Sequence, residues 1–156
     1  MTRLLALAAV LAVCIIIASL IFVRVDSFLV SSPDDSTSSA SSTVQVGGKT
    51  VRVTVADTPE TRQKGLGGRN GLAPDEGMLF IFPQDGKYGF WMKDMKFPID
   101  ILWLSGARRV VYMAQNVSPD TYPEVFAPTT PARYVLELPA GYAKAYTVGV
   151  GDEVRF

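Results

Sequence analysis

The sequence contains no histidine and a single cysteine, Cys14. The first absence removes the commonest general base and the commonest metal ligand. Together the two absences exclude zinc and iron–sulfur sites, serine–histidine and cysteine hydrolases, and any disulfide within one chain. A folded domain of this chain must therefore be held by packing, even in an oxidising compartment. An excess of charge of one sign is also missing. Fifteen basic residues balance fifteen acidic ones, so no field draws the chain to nucleic acid. At 156 residues it is too short for a multidomain enzyme. No stretch matches a calcium loop, and no serine is followed three residues later by a lysine. No metal and no cofactor is expected.

What is present is unevenly spread. Apolar residues make up 48% of the chain, and nineteen of them lie in the twenty residues Leu4 to Val23, interrupted only by Ser19. Twenty helical residues span about 30 Å, the thickness of a bilayer's hydrocarbon core. Arg3 and Arg24 flank the run, where long side chains snorkel into headgroups. A cleaved signal peptide is the rival reading, but its apolar core is shorter and ends in small residues, whereas this run ends Leu20-Ile21-Phe22-Val23. Residues 1–25 are therefore expected to form an uncleaved signal anchor in the lipid bilayer, with Cys14 a small hydrophobe within it. The short N-terminal flank and the large C-terminal remainder suggest a single-pass protein of the plasma (inner) membrane with its domain outside the cytoplasm. Residues 26–43 hold eight serines, Pro33 and the Asp34-Asp35 pair. They offer too little apolar surface to order, and read as a tether roughly 25 Å across.

Residues 44–156 are expected to form one domain, with thirteen basic and twelve acidic residues. Val44-Gln45-Val46, Gly47-Gly48 and Thr50 to Val55 predict a hairpin with its valines on one face. Thr58, Pro59 and Gly65 predict the cap, first residue and end of a short helix. Met78 to Phe82 is an apolar run stopped by Pro83, expected as a central strand buried on both faces. Further strands are expected at Tyr88 to Met92, Ile99 to Leu104, Val110 to Val117, Tyr134 to Leu138 and Glu153 to Phe156. Pro119 to Pro131, with four prolines, reads as a loop, and Ala140 to Tyr146 as one or two helical turns. The class is α+β and mostly β: a compact curved sheet or partly open barrel with one or two short helices.

Carboxylates, lysines, arginines and aromatics are left to carry chemistry. Phe90 to Asp100 is the densest group, with Lys93 and Asp94 at an expected strand end. By alternation Asp100 shares a face with Leu102 and Leu104, which places a carboxylate among apolar residues. Such a group must be paired or lie at an edge, with Lys93, Arg62 and Arg69 as candidate partners. It is either a salt-bridged or turn-capping carboxylate, or one that binds ligand or exchanges protons. Glu137, beside Val135, raises the same question. Trp91 and Trp103 are either packing residues or a stacking platform for a flat ligand. Alternation sends one of Trp91 and Met92 inward and the other outward. Gly65 to Gly71 is either a flexible turn or an anion-binding nest helped by Arg69.

Arg62-Gln-Lys-Gly65-Leu66…Arg69, Glu76-Gly77-Met78-Leu79-Phe80-Ile-Phe82, Phe90-Trp91-Met92-Lys93-Asp94, Pro98-Ile99-Asp100-Ile101, Leu136-Glu137-Leu138-Pro-Ala-Gly141 and Gly151-Asp152 stand in one order. In this the chain resembles the domain of unknown function 192 family, small prokaryotic domains often secreted or membrane-anchored. The resemblance implies a compact, mostly β fold and brings no established activity. Two departures stand out: Gly67 replaces the family's usual methionine, and Asp94-Met95 its commoner Asn-Thr. The added charge at Asp94 changes ligand preference or pairs with Lys93 or Lys96.

The expectation is thus a membrane-tethered extracytoplasmic domain that binds a small ligand, envelope polymer or protein partner. Its site would gather Trp91, Lys93, Asp94 and Asp100, with Arg62, Arg69, Glu76 and Glu137 converging on them. The alternative is a small metal-independent hydrolase or lyase of envelope carbohydrate, using two of Asp94, Asp100 and Glu137. A third possibility is a purely structural domain.

Overall fold

Gly47 and Gly48 turn the chain back on itself with φ of 58° and 70°, a pairing that suits the twist of a two-residue hairpin. In the computed structural model, which describes residues 41–156, this turn joins β1 (Ser41–Val46) to β2 (Lys49–Ala56). Val44 pairs with Val51, so Val44, Val46, Val51 and Val53 face the same way and are buried. The expected anchor and residues 26–40 of the expected tether lie outside the described residues. Ser41 to Thr43, also assigned to the tether, pair instead with Thr54 to Arg52 in the hairpin. Among the described residues no helix is long and apolar enough to cross a membrane.

After β2 the chain enters α1 (Pro59–Lys64), where the Thr58 side chain accepts the Thr61 N–H, Pro59 takes the first turn and Gly65 closes the end. Then follow β3 (Glu76–Gly86), β4 (Ile99–Leu104), β5 (Val110–Val117), a single 3-10 turn at Pro119–Thr121, β6 (Ala132–Pro139) and α2 (Tyr142–Ala145). The strands form one open mixed sheet in the order β1-β2-β3-β6-β4-β5. Only the β2–β3 pair is parallel, and its crossover carries α1. Residues 152–156 bridge both edges, Arg155 to Gln45 of β1 and Glu153 to Arg109 just before β5.

Each face of the sheet has its own apolar layer. One contains Val44, Val51, Leu102, Leu136 and Leu138, closed over by α2 and Val154. The other contains Met78, Phe80, Ile101, Trp103 and Val135, covered by the long connections that include Leu66, Met92 and Phe126. Every residue of β4 is buried as a result. Trp103 lies wholly in this second layer, and its indole N–H donates to the Tyr88 carbonyl at 2.8 Å. That position rules out Trp103 as part of a stacking platform.

Three expected strand assignments change. Pro83 does not stop β3; the register slips between Ile81 and Gly86, and this irregular stretch tolerates a residue without an N–H. Tyr88 to Met92 is not a strand, because Phe90 alone pairs there, exchanging both backbone bonds with Phe126. Glu153 to Phe156 makes isolated bridges rather than a ladder, so the sheet counts six strands.

Candidate functional site

The two buried carboxylates sit on neighbouring strands and face opposite sides of the sheet. Asp100 of β4 is 0% exposed and points with Leu102 and Leu104 into the α2 layer. Among the described residues no lysine or arginine pairs with it. It accepts three backbone N–H groups: Asn116 at 2.8 Å, Gly141 at 3.1 Å and Ala143 at 2.8 Å. The bulge that makes this possible lies in β5, where the register slips between Ile99 and Ile101 and Asn116 adopts a φ of 50°. Gly141, with a φ of 81°, precedes α2, and its N–H and that of Ala143 within α2 are the other two donors. Asp100 therefore fastens β5 and α2 to β4. These contacts are those of the turn-capping carboxylate among the two sequence alternatives, and Asp100 is not among the residues lining the cleft described below.

Glu137 of β6 lies between Met78 of β3 and Ile101 of β4. It is 6% exposed, and its Oε2 has no hydrogen-bond partner among the described residues. Burial among these apolar neighbours pushes its carboxyl up from the ordinary 4.5 to about 8, against a smaller downward pull from Arg69. An unpartnered buried carboxylate costs stability, and such groups concentrate where a protein binds or reacts. Glu137 lines an open cleft of about 920 Å³.

Three segments build the walls of this cleft. The first is α1 with the glycine-rich turn after it. Four N–H groups of this turn are spent on carbonyls, Gly65 on Thr61, Gly67 on Lys64, Gly68 on Asp94 and Arg69 on Leu66, so an anion-binding nest could draw only on those of Leu66, Asn70 and Gly71. The second is the turn Met92 to Met95. Asp94 is left-handed there, with φ 58°, which aims its carbonyl at Gly68 and ties the two walls together. The third is aromatic: Phe80 and Phe82 on the sheet, with Tyr88, Phe90 and Trp91 beside them. Phe82 stacks on Tyr88 with centroids 3.5 Å apart, and Phe90 stands edge-on to Phe80 at 4.8 Å.

The cleft brings together Arg62, Trp91, Lys93, Asp94 and Glu137 from the expected set. Arg62 is partly committed: its Nη1 donates to the carbonyls of Asp57 and, at 2.9 Å, Ile81, and its guanidinium lies 5.3 Å from the centre of the Phe82 ring. Trp91 is 52% exposed and meets Tyr122 edge-on at the rim, while Met92 turns inward. Asp94 makes no ion pair among the described residues; Lys96 reaches Asn70 instead, at 3.0 Å. Arg69 stands outside the lining and donates to Thr54 Oγ1 at 3.4 Å. Glu76 also lies outside, accepting the Ala73 N–H and pairing with the exposed Arg52. Phe82 and Tyr88 were not singled out from sequence. The irregular backbone at Pro83, which brings them together, was the one available signal. Among the described residues no three Asp, Glu or Cys side chains gather to hold a metal.

The sequence matches the DUF192 family, described as an uncharacterised ACR, over residues 42–156. A Sinorhizobium meliloti protein provisionally described as a transcription regulator is 32% identical in its crystal structure. The match covers 74% of this chain and 93% of that one, with a TM-score of 0.70. A protein of unknown function from Novosphingobium aromaticivorans is 30% identical, over 74% of this chain and 85% of its own, with a TM-score of 0.71. No curated protein matches the chain. With the fold, the sequence profile and these neighbours in agreement, the chain belongs to the DUF192 family.

Proposed function

We propose that the chain is a membrane-tethered extracytoplasmic binding domain, whose cleft takes up a small ligand, an envelope polymer or a segment of a partner protein. One observation carries the binding reading: a buried carboxylate without a partner lines an open cleft with aromatic walls. A buried carboxylate left unpaired costs the fold stability that a bound partner would restore. Tethering is supported by the Leu4 to Val23 run and the serine-rich stretch after it. The near-neutral charge of residues 44–156 gives no support to a DNA-contacting role.

The full chain in micelles, screened by tryptophan fluorescence against envelope glycans, amines and carboxylates, tests the binding reading. A ligand whose effect disappears in Glu137→Gln supports it. If no class perturbs the protein, it fails. Tethering is tested by protease treatment of intact cells, with the domain expected to be cleaved before lysis.

A second reading keeps one carboxylate pair of the original three. Asp94 and Glu137 line the same cleft, and the proton held by Glu137 suits a general acid. Turnover of an envelope glycan, abolished in both Asp94→Asn and Glu137→Gln, would establish a hydrolase or lyase.

A further inference from the structure

We propose that the cleft is a receptor for an organic cation, with an alkylammonium or guanidinium group held between the aromatic wall and the Glu137 carboxylate. This rests on the reading of the cleft as a ligand site and names what it takes.

The chemistry of the floor points first to a cation. Glu137 Oε2 has no donor, and its cross-strand neighbours, Met78 and Ile101, cannot supply one. A cation brings both missing elements, N–H donors and a compensating charge, in one group. An anion would meet a carboxylate at the floor, and of the turn residues lining the cleft Gly65, Gly67 and Gly68 have already given their N–H groups to carbonyls.

The walls point the same way. Aromatic faces attract cations, and five aromatic side chains line this cleft. It already shows that geometry once, in the guanidinium of Arg62 over Phe82. Arg62 cannot itself serve Glu137 through the Nη1 that holds Asp57 and Ile81.

The remaining charged groups leave Glu137 unanswered. From α1 come Glu60, Arg62 and Lys64; from the Met92 to Met95 turn come Lys93 and Asp94. The strands flanking Glu137 place only Met78 and Ile101 against it, and Arg69, beyond the lining, pulls its proton affinity down without overcoming burial. None of these cations lies within ion-pair distance of Glu137 among the described residues.

A cation that pairs with Glu137 must displace its proton, which fixes the sign of the pH dependence. With the carboxyl near 8 in the free protein, only the ionised fraction is competent to bind. Apparent affinity then rises about 50-fold from pH 6 to pH 8 and levels off above about pH 9. Alkylammonium and guanidinium groups stay protonated across this range.

The test is calorimetric titration of the full chain in micelles at pH 6, 7, 8 and 9. The probes are agmatine and spermidine as free cations, and Nα-acetyl-lysine and Nα-acetyl-arginine methylamides as side chains borne by a polypeptide. The expected result is binding that tightens with pH, releases close to one proton per site at pH 7, and is lost in Glu137→Gln while the fluorescence of buried Trp103 stays native. Tighter capture of the free cations assigns the source as a small molecule; tighter capture of the methylamides assigns it as a partner chain. No binding by any of the four, or binding that weakens as pH rises, overturns the cation assignment. Neutral glycans and dicarboxylates run in parallel separate the two levels. If one of them occupies the cleft through Glu137, the cation assignment falls and the binding cleft stands; if nothing binds, both fall.

Discussion

Replacing Glu137 by glutamine should make the domain more stable at neutral pH, by an amount that depends on pH in a defined way. Below about pH 4.5 the carboxyl is protonated in both the folded and unfolded chains, and contributes nothing to the difference between them. Between there and about pH 8 the unfolded chain has released the proton while the folded one keeps it. The folded state binds more protons, so stability falls as pH rises through this window at about 1.4 kcal/mol per pH unit. The loss approaches roughly 5 kcal/mol and levels off by about pH 9. Glutamine cannot ionise, so the stability of wild type minus that of Glu137→Gln should fall by about 3 kcal/mol between pH 5 and pH 7. Taking the difference cancels every other titrating group, including Glu60, whose carboxyl is held low by its helix-start hydrogen bonds.

The assay is urea denaturation of the full chain in micelles, followed by tryptophan emission. The sequence has two tryptophans, Trp91 and Trp103, both in the described domain, so the signal reports that domain alone. A flat difference between pH 5 and pH 7 would refute the reasoning, because it would mean that Glu137 is ionised and paired in the folded chain.

Asp100→Asn should destabilise by about 2–4 kcal/mol, since an amide cannot accept all three N–H groups that the carboxylate satisfies. Ligand affinity, measured in conditions where the variant is folded, should not change. Gly77→Ala should cost about 1–3 kcal/mol in the same denaturation assay, because its Cβ would stand 2.7 Å from the Glu137 carbonyl. Trp91→Ala should change stability by less than about 1 kcal/mol, given its exposure. The same substitution should weaken agmatine binding about 3- to 10-fold in calorimetry, corresponding to about 1 kcal/mol of cation–aromatic attraction.

Alternation along the chain settled which way most side chains point. It placed Asp100 with Leu102 and Leu104, set Tyr134, Leu136 and Leu138 against Val135 and Glu137, and bounded β4 and β5 as observed. Thr58, Pro59 and Gly65 marked α1 because capping is local chemistry. The partners of the two buried acids were beyond that logic. The donors to Asp100 lie 16, 41 and 43 residues away along the chain, on a bulge and a helix start, and they are backbone groups of no particular residue type. Nothing local distinguishes Asp100 from Glu137, though one is satisfied and the other is not. Tyr88 to Met92 misled for a related reason: its alternation is that of a strand, but a single pairing partner, Phe126, is within reach.

The sheet places its two acids one register step apart, Asp100 opposite Leu138 and Ile101 opposite Glu137, on opposite faces. In terms of selection the two positions should obey different rules. A randomised library sorted only for folded protein should keep aspartate at 100 and let 137 drift toward methionine or leucine, to match its neighbours. Sorting the same library for occupancy of the cleft should restore glutamate at 137. Two such sorts would read directly from sequence frequencies which carboxylate serves the fold and which serves the ligand.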